Sequence, residues 1–110
     1  MSKATRRFMR MLVMFDLPVV LKEDRKAYTQ FRRFLLNDGY DMLQFSVYGR
    51  ILNGTDAEQK HLQRLLQHLP PSGSVRMLAV TEKQFASMKL LVGLPLFQEK
   101  RVNAAQMLLF

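Results

Sequence analysis

Apolar and polar positions divide this chain into short blocks. From Met9 to Phe15 almost every position is apolar, and the run stops at Asp16. So short an almost continuously apolar run predicts a strand buried on both faces. One face would cover helices. The other needs a different cover, for which a second subunit is the economical candidate. Pro18 breaks the strand. Lys22 to Asp38 then carries Ala27, Tyr28, Phe31, Phe34 and Leu35 at three- and four-residue spacing, an amphipathic helix closed by Asn37 and Gly39. Tyr40 to Leu52 alternates in part, with Met42, Phe45, Val47 and Ile51 among polar residues, and reads as one long strand. Thr55-Asp-Ala-Glu58 matches a capping box. The helix behind it carries Leu62, Leu65, Leu66 and Leu69 on one face and ends at Pro70-Pro71-Ser72-Gly73. Val75 to Thr81 reads as a third strand and Glu82 to Ser87 as a helical turn. Met88 to Val92 reads as a fourth strand, and Gln106 to Phe110 as a short apolar strand at the C-terminus.

Four of these strands and two helices compose an α+β fold, the split βαβ arrangement called ferredoxin-like. The last strand is surplus. Met107, Leu108, Leu109 and Phe110 would be a sticky liability on a monomer and are candidates for a dimer interface, paired with a partner's sheet edge. At 110 residues the chain makes one domain. It is expected over residues 8–110, behind a basic extension over 1–7.

Charge narrows the partners. Lys and Arg total 17 against 9 acids, a formal net charge of +8, which favours a polyanion. There are no cysteines, hence no disulfide framework and no thiolate metal site. Twin arginines at Arg6-Arg7 precede an apolar run, but Asp16 and Pro18 interrupt it and no small-residue cleavage site follows. No segment is long enough to span a bilayer, and a cytoplasmic protein is expected.

The basic residues form two groups. Lys3, Arg6, Arg7 and Arg10 lie together without an acid nearby in sequence. Lys22, Lys26 and Arg33, with Arg25 and Arg32 beside them, share the first helix with Glu23 and Asp24. Either group can meet phosphates, and the helix set reads equally as a solvated face. Asp16 is the one carboxylate at the end of the first strand. A single Asp is a poor magnesium site, but a two-fold axis would duplicate it. The same residue can simply shape the Asp-Leu-Pro turn. Ser46 could donate a hydrogen bond to phosphate near a metal, but reads first as a small strand residue that permits close packing. His61 and His68, seven apart on one helix, lack a third ligand and read as surface residues. The eight methionines read as core filler. No Ser-His-Asp set, phosphate-binding glycine loop or dinucleotide fingerprint is present.

Taken in order, several motifs resemble one family. A short basic start leads to a strand ending Phe15-Asp16-Leu17-Pro18. Arg32-Arg33 and Leu36 follow in the first helix, then Gly39, then Gln44-Phe-Ser46-Val47-Tyr48. Together they resemble the CRISPR-associated Cas-two (Cas2) family, over about Met9 to Phe110. Gly93 to Phe110 looks most like members from type II-A systems. The N-terminal extension departs from the family pattern. The resemblance implies a ferredoxin-like homodimer with its sheets facing each other and the last strand crossing to the partner. It also implies a dimer that bridges two dimers of the Cas-one integrase and holds captured double-stranded DNA. It makes Asp16 the family's metal-site position, with Mg2+ held between two copies, and the catalytic residue if the chain cuts.

Three functions compete. The favoured one is an adaptor in spacer acquisition. The alternative is a stand-alone metal-dependent endonuclease acting on RNA or double-stranded DNA. The third, a single-stranded RNA-binding module, lacks its aromatic strand signature, and a sheet buried in a dimer would not stack bases.

Overall fold

The computed structural model describes residues 8–93. Within them run β1 (Phe8–Asp16), α1 (Lys22–Asn37), β2 (Asp41–Gln44), β3 (Val47–Asn53), α2 (Thr55–Leu66), β4 (Ser74–Thr81) and the short α3 (Glu82–Ala86). The four strands form one antiparallel sheet in the order β2-β3-β1-β4. This is the split βαβ arrangement expected from the apolar pattern.

The continuous apolarity of β1 follows from its central place. Met11, Val13 and Phe15 alternate onto the helix-covered face, where they pack with Phe31 and Leu35 of α1, Leu65 of α2, and Tyr48 and Leu52 of β3. Phe15 anchors the cluster, edge-on to Phe31 at 5.2 Å and stacked on Tyr48 at 5.6 Å. The intervening residues face the other way. The register sets Leu12 beside Leu78, and Met14 beside Val47. Ile51 and Val80 lie on the same face, either side of Arg10. Ile51 and Leu78 remain about half exposed, at 47% and 51%. Among the described residues α3 covers only one end of this face, through the buried Phe85.

α1 closes as the glycine requires. Gly39 takes φ +92, its N–H reaches Leu36 O, and the Tyr40 N–H reaches Leu35 O at 2.9 Å. These are the two bonds of a Schellman cap, which satisfy carbonyls left over by the last turn. The buried Tyr40 then leads into β2.

Four expectations need correction. Tyr40 to Leu52 is two strands, because the chain reverses at Phe45-Ser46 and Gln44 pairs with Val47. Met88 to Val92 is not a strand. Its apolar side chains are about half or more exposed among the described residues, none of which pairs with it as a strand. Thr55 is the first helical residue of α2, not its cap; Gly54 holds that position and no side chain caps the helix. The buried stripe of α2 runs through His61 and Leu65, while Leu66 and Leu69 are exposed. A true capping box opens α3 instead: Thr81 Oγ1 accepts from the Gln84 N–H, and Gln84 Oε1 accepts from the Thr81 N–H. Lys3, Arg6, Arg7, the expected strand from Gln106, and Met107, Leu108, Leu109 and Phe110 lie outside the described residues.

Candidate nucleic-acid interface and the Asp16 edge

Asp16 ends β1 opposite Ser74 and is exposed. Two turns close around its backbone. The Phe15 N–H donates to Ser46 O at 3.1 Å. Gly73, at φ +92, passes so near that a Cβ there would lie 2.6 Å from Asp16 O. Ser46, expected on a strand, is instead the second residue of the β2–β3 turn, at φ +64. Asp16 makes no ion pair among the described residues. Those residues also hold no group of three His, Cys, Asp or Glu side chains placed to share a metal ion. One chain offers one carboxylate here, which does not by itself fit a magnesium ion.

The cations of α1 are drawn together. Lys22, Arg25, Lys26 and Arg33 line one groove with Thr29 and Gln30, because positions three, four and seven apart share a helix face. The groove continues past Gln30 and Arg33 to Phe34, Asn37 and His68. Arg32 is exposed on the neighbouring flank. Arg25 is partly occupied, donating to Val19 O at 3.2 Å and Val20 O at 2.7 Å. None of these five cations has an acidic partner among the described residues.

Arg10 does not join them. The sequence places it with the basic tail, away from acids. Instead β1 carries it under α3, 5% exposed. Its Nε and Nη2 donate to the two Glu82 oxygens at 2.8 and 3.1 Å, and its guanidinium lies 4.3 Å from the centre of the Phe85 ring. A planar guanidinium suits this bidentate, stacked site, and at 5% exposure it is buried away from any phosphate on the surface. Glu82 is distant from Arg10 in sequence, so nothing local announces the pair.

A second polar cluster has no counterpart in the sequence reading. Asp38, just past α1, has its side chain 8% exposed, bonded to His61 Nδ1 and Arg64 Nη1 at 2.9 Å each. Arg50 donates to the Asp38 backbone carbonyl. Burial alone would raise the Asp38 carboxyl, but the hydrogen bonds and charges of His61 and Arg64 outweigh it and hold the group below its ordinary 3.8. Burial, with the Asp38 charge beside it, pushes the Tyr40 phenol up to about 12. His61 is therefore buried, contrary to its expected surface place. His68 is exposed, as expected, and stacks on Phe34 with ring centres 4.1 Å apart. The cluster ties α1 to α2 and β3.

Residues 9–88 match the family model described as CRISPR associated protein Cas2. The chain is 83% identical over 102 residues to the CRISPR-associated endoribonuclease Cas2 of Acidovorax ebreus (strain TPSY), covering 93% of this chain and 100% of that one. It is 45% identical over 104 residues to the protein of that name from Campylobacter jejuni, covering 94% and 73%. Against the one from Streptococcus mutans (strain ATCC 700610 / UA159) it is 48% identical over 85 residues, covering 77% and 78%. The chain belongs to the Cas2 family. No helix among the described residues is long and apolar enough to cross a membrane.

Proposed function

We propose that this chain works as a homodimer in CRISPR spacer acquisition, in a type II-A-like system. In this reading it bridges dimers of the Cas-one integrase and holds double-stranded DNA by its phosphates. The observation that carries the reading is the division of labour between two surfaces. The sheet face bearing Leu12, Met14, Val47, Ile51, Leu78 and Val80 is mostly apolar, with Arg76 exposed beside Met14, and beyond the end that α3 covers it lies open among the described residues. A second copy is the occupant the proposal commits to, since a two-fold pairing of like faces buries both at once. The cations lie on α1, across the sheet from that face. A dimer built this way presents two basic helical surfaces, and the net charge of +8 per chain favours DNA on them.

The second reading is an endonuclease acting on RNA or double-stranded DNA. It is favoured by the name of the relatives, endoribonucleases, and by the exposed Asp16 at the end of the strand that would lie in the interface. Two copies would supply the second carboxylate that one chain lacks for Mg2+, an ion that would polarise a phosphate and activate water. Integration and cleavage are to be assayed side by side for the natural chain and Asp16→Ala, with the dimer checked by sizing. The adaptor reading expects integration near normal, because its work is geometric. Lost integration in a dimeric, folded variant overturns that ranking.

A further inference from the structure

The turn between β2 and β3 breaks the local rules for such turns. Two-residue hairpin turns favour Gly, Asn or Asp, because central residues take positive φ. Here Ser46 stands at φ +64, and Phe45 leaves 77% of its surface in solvent. Both choices act against stability, the first through backbone strain and the second by leaving a large ring in water. The Phe45 ring is nevertheless held. It stacks on Tyr28 with centres 6.2 Å apart and planes at 23°. Tyr28 in turn meets Phe15, the residue before Asp16, edge-on at 6.0 Å.

Charge stands beside this ladder. Arg25 and Arg32 lie three residues before and four after Tyr28, on the same flank of α1. Arg32 is exposed and has no acidic partner among the described residues. A backed ring with an open face next to a guanidinium matches the chemistry of an unpaired nucleotide. Any base offers a π-face to stack, and its phosphate takes the cation.

We propose that Phe45 is a stacking platform for an unpaired nucleotide of bound nucleic acid, with Arg32 on the adjoining phosphate. The proposal rests on the nucleic-acid-binding reading and adds that the bound molecule has a single-stranded part, an overhang or a splayed end. Phe45 stacks toward α1, on the helix side of the sheet, so a second copy on the open face leaves it accessible.

The test uses the full chain and two probes of one sequence: a blunt duplex, and a duplex with single-stranded extensions carrying 2-aminopurine, whose fluorescence falls on stacking. The natural chain is expected to quench the extended probe. Phe45→Ala should weaken that probe by roughly 5- to 100-fold and abolish the quenching, while binding the blunt duplex within about twofold of the natural chain. Phe45→Trp should restore both. If Phe45→Ala binds the extended probe like the natural chain, the platform is refuted while nucleic-acid binding stands. Equal weakening on both probes, or a changed oligomeric mass, assigns Phe45 to a protein interface and also overturns it. Binding of neither probe by the natural chain sinks the underlying reading itself.

Discussion

Replacing Glu82 with Ala isolates the Arg10 clamp. The substitution leaves a guanidinium that is 5% exposed without either of its carboxylate oxygens. Stranding one member of a buried pair costs about 3–5 kcal/mol. Glu82 itself is 35% exposed, so water reaches its side of the pair and the cost falls to about 2 kcal/mol. For a domain of this size that lowers the melting temperature by roughly 8–16 °C. Arg10→Met removes the charge but keeps an unbranched side chain against Phe85, so the double variant should be more stable than Glu82→Ala alone. The cycle should give a coupling of about 1–2 kcal/mol. Thermal and urea unfolding of all four proteins, at one fixed concentration because assembly shifts apparent stability, measures it. A Glu82→Ala effect within about 0.5 kcal/mol, with additive changes in the cycle, would refute the clamp. The same variants test the functional assignment: Arg10→Met should leave the salt dependence of DNA binding unchanged, since a committed guanidinium releases no counterions.

The remaining predictions follow from the same geometry. The Asp38 carboxyl is held below its unfolded value, so its stabilisation is complete above about pH 4 and is lost as the pH falls through the lowered value. Asp38→Asn should lower the urea midpoint at pH 7 and flatten the acid limb, and a parallel curve would exclude the network as its source. On duplex DNA, Lys22→Ala with Lys26→Ala should reduce the log–log salt slope by about 0.9 for each phosphate no longer neutralised; an unchanged slope returns these lysines to a solvated surface. Leu78→Lys, on the open sheet face, should shift the protein toward monomer on sizing, and an undisturbed dimer would place the interface elsewhere.

Much of the fold is legible in the sequence because β1 and α1 obey simple periodicities. The nearly continuous run from Met9 to Phe15, interrupted only by Arg10, announces a central strand with two faces to cover, and the stripe through Phe31 and Leu35 announces the helix that covers one. Periodicity fails where the chain reverses without the usual residues. Nothing at Phe45-Ser46 signals a turn, so two strands read as one. It fails again at Met88 to Val92, because apolarity records a need for cover and is silent about what provides it. The basic groove on α1 is legible from helical spacing alone. Asp16 is visible as a carboxylate ending an apolar strand, though its setting between the Ser46 and Gly73 turns is not. Arg10 and His61 are misplaced for one reason. Each is polar in a segment whose neighbours suggest tail or surface, and each is buried by a partner, Glu82 or Asp38, far away in sequence.

That contrast bears on how the molecule divides its charge. Of the cations placed by the described residues, Arg10 is bound to an acid in the fold, Arg50 is tied to a backbone carbonyl and Arg64 to Asp38. These three hold elements together: Arg10 docks α3 onto β1, Arg50 ties β3 to the end of α1, and Arg64 joins α2 to it. Lys22, Lys26, Arg32 and Arg33 have no acidic partner among the described residues and take no such part. Solvated like charges gathered on one helix repel one another, and Glu23 and Asp24 on that helix offset the repulsion of its five cations only in part. A polyanion removes it, and the gain grows as salt is lowered. The fold therefore separates cations that stabilise the chain from cations that a ligand would stabilise. The second set lies on the side of the sheet that a dimer on the open face leaves free.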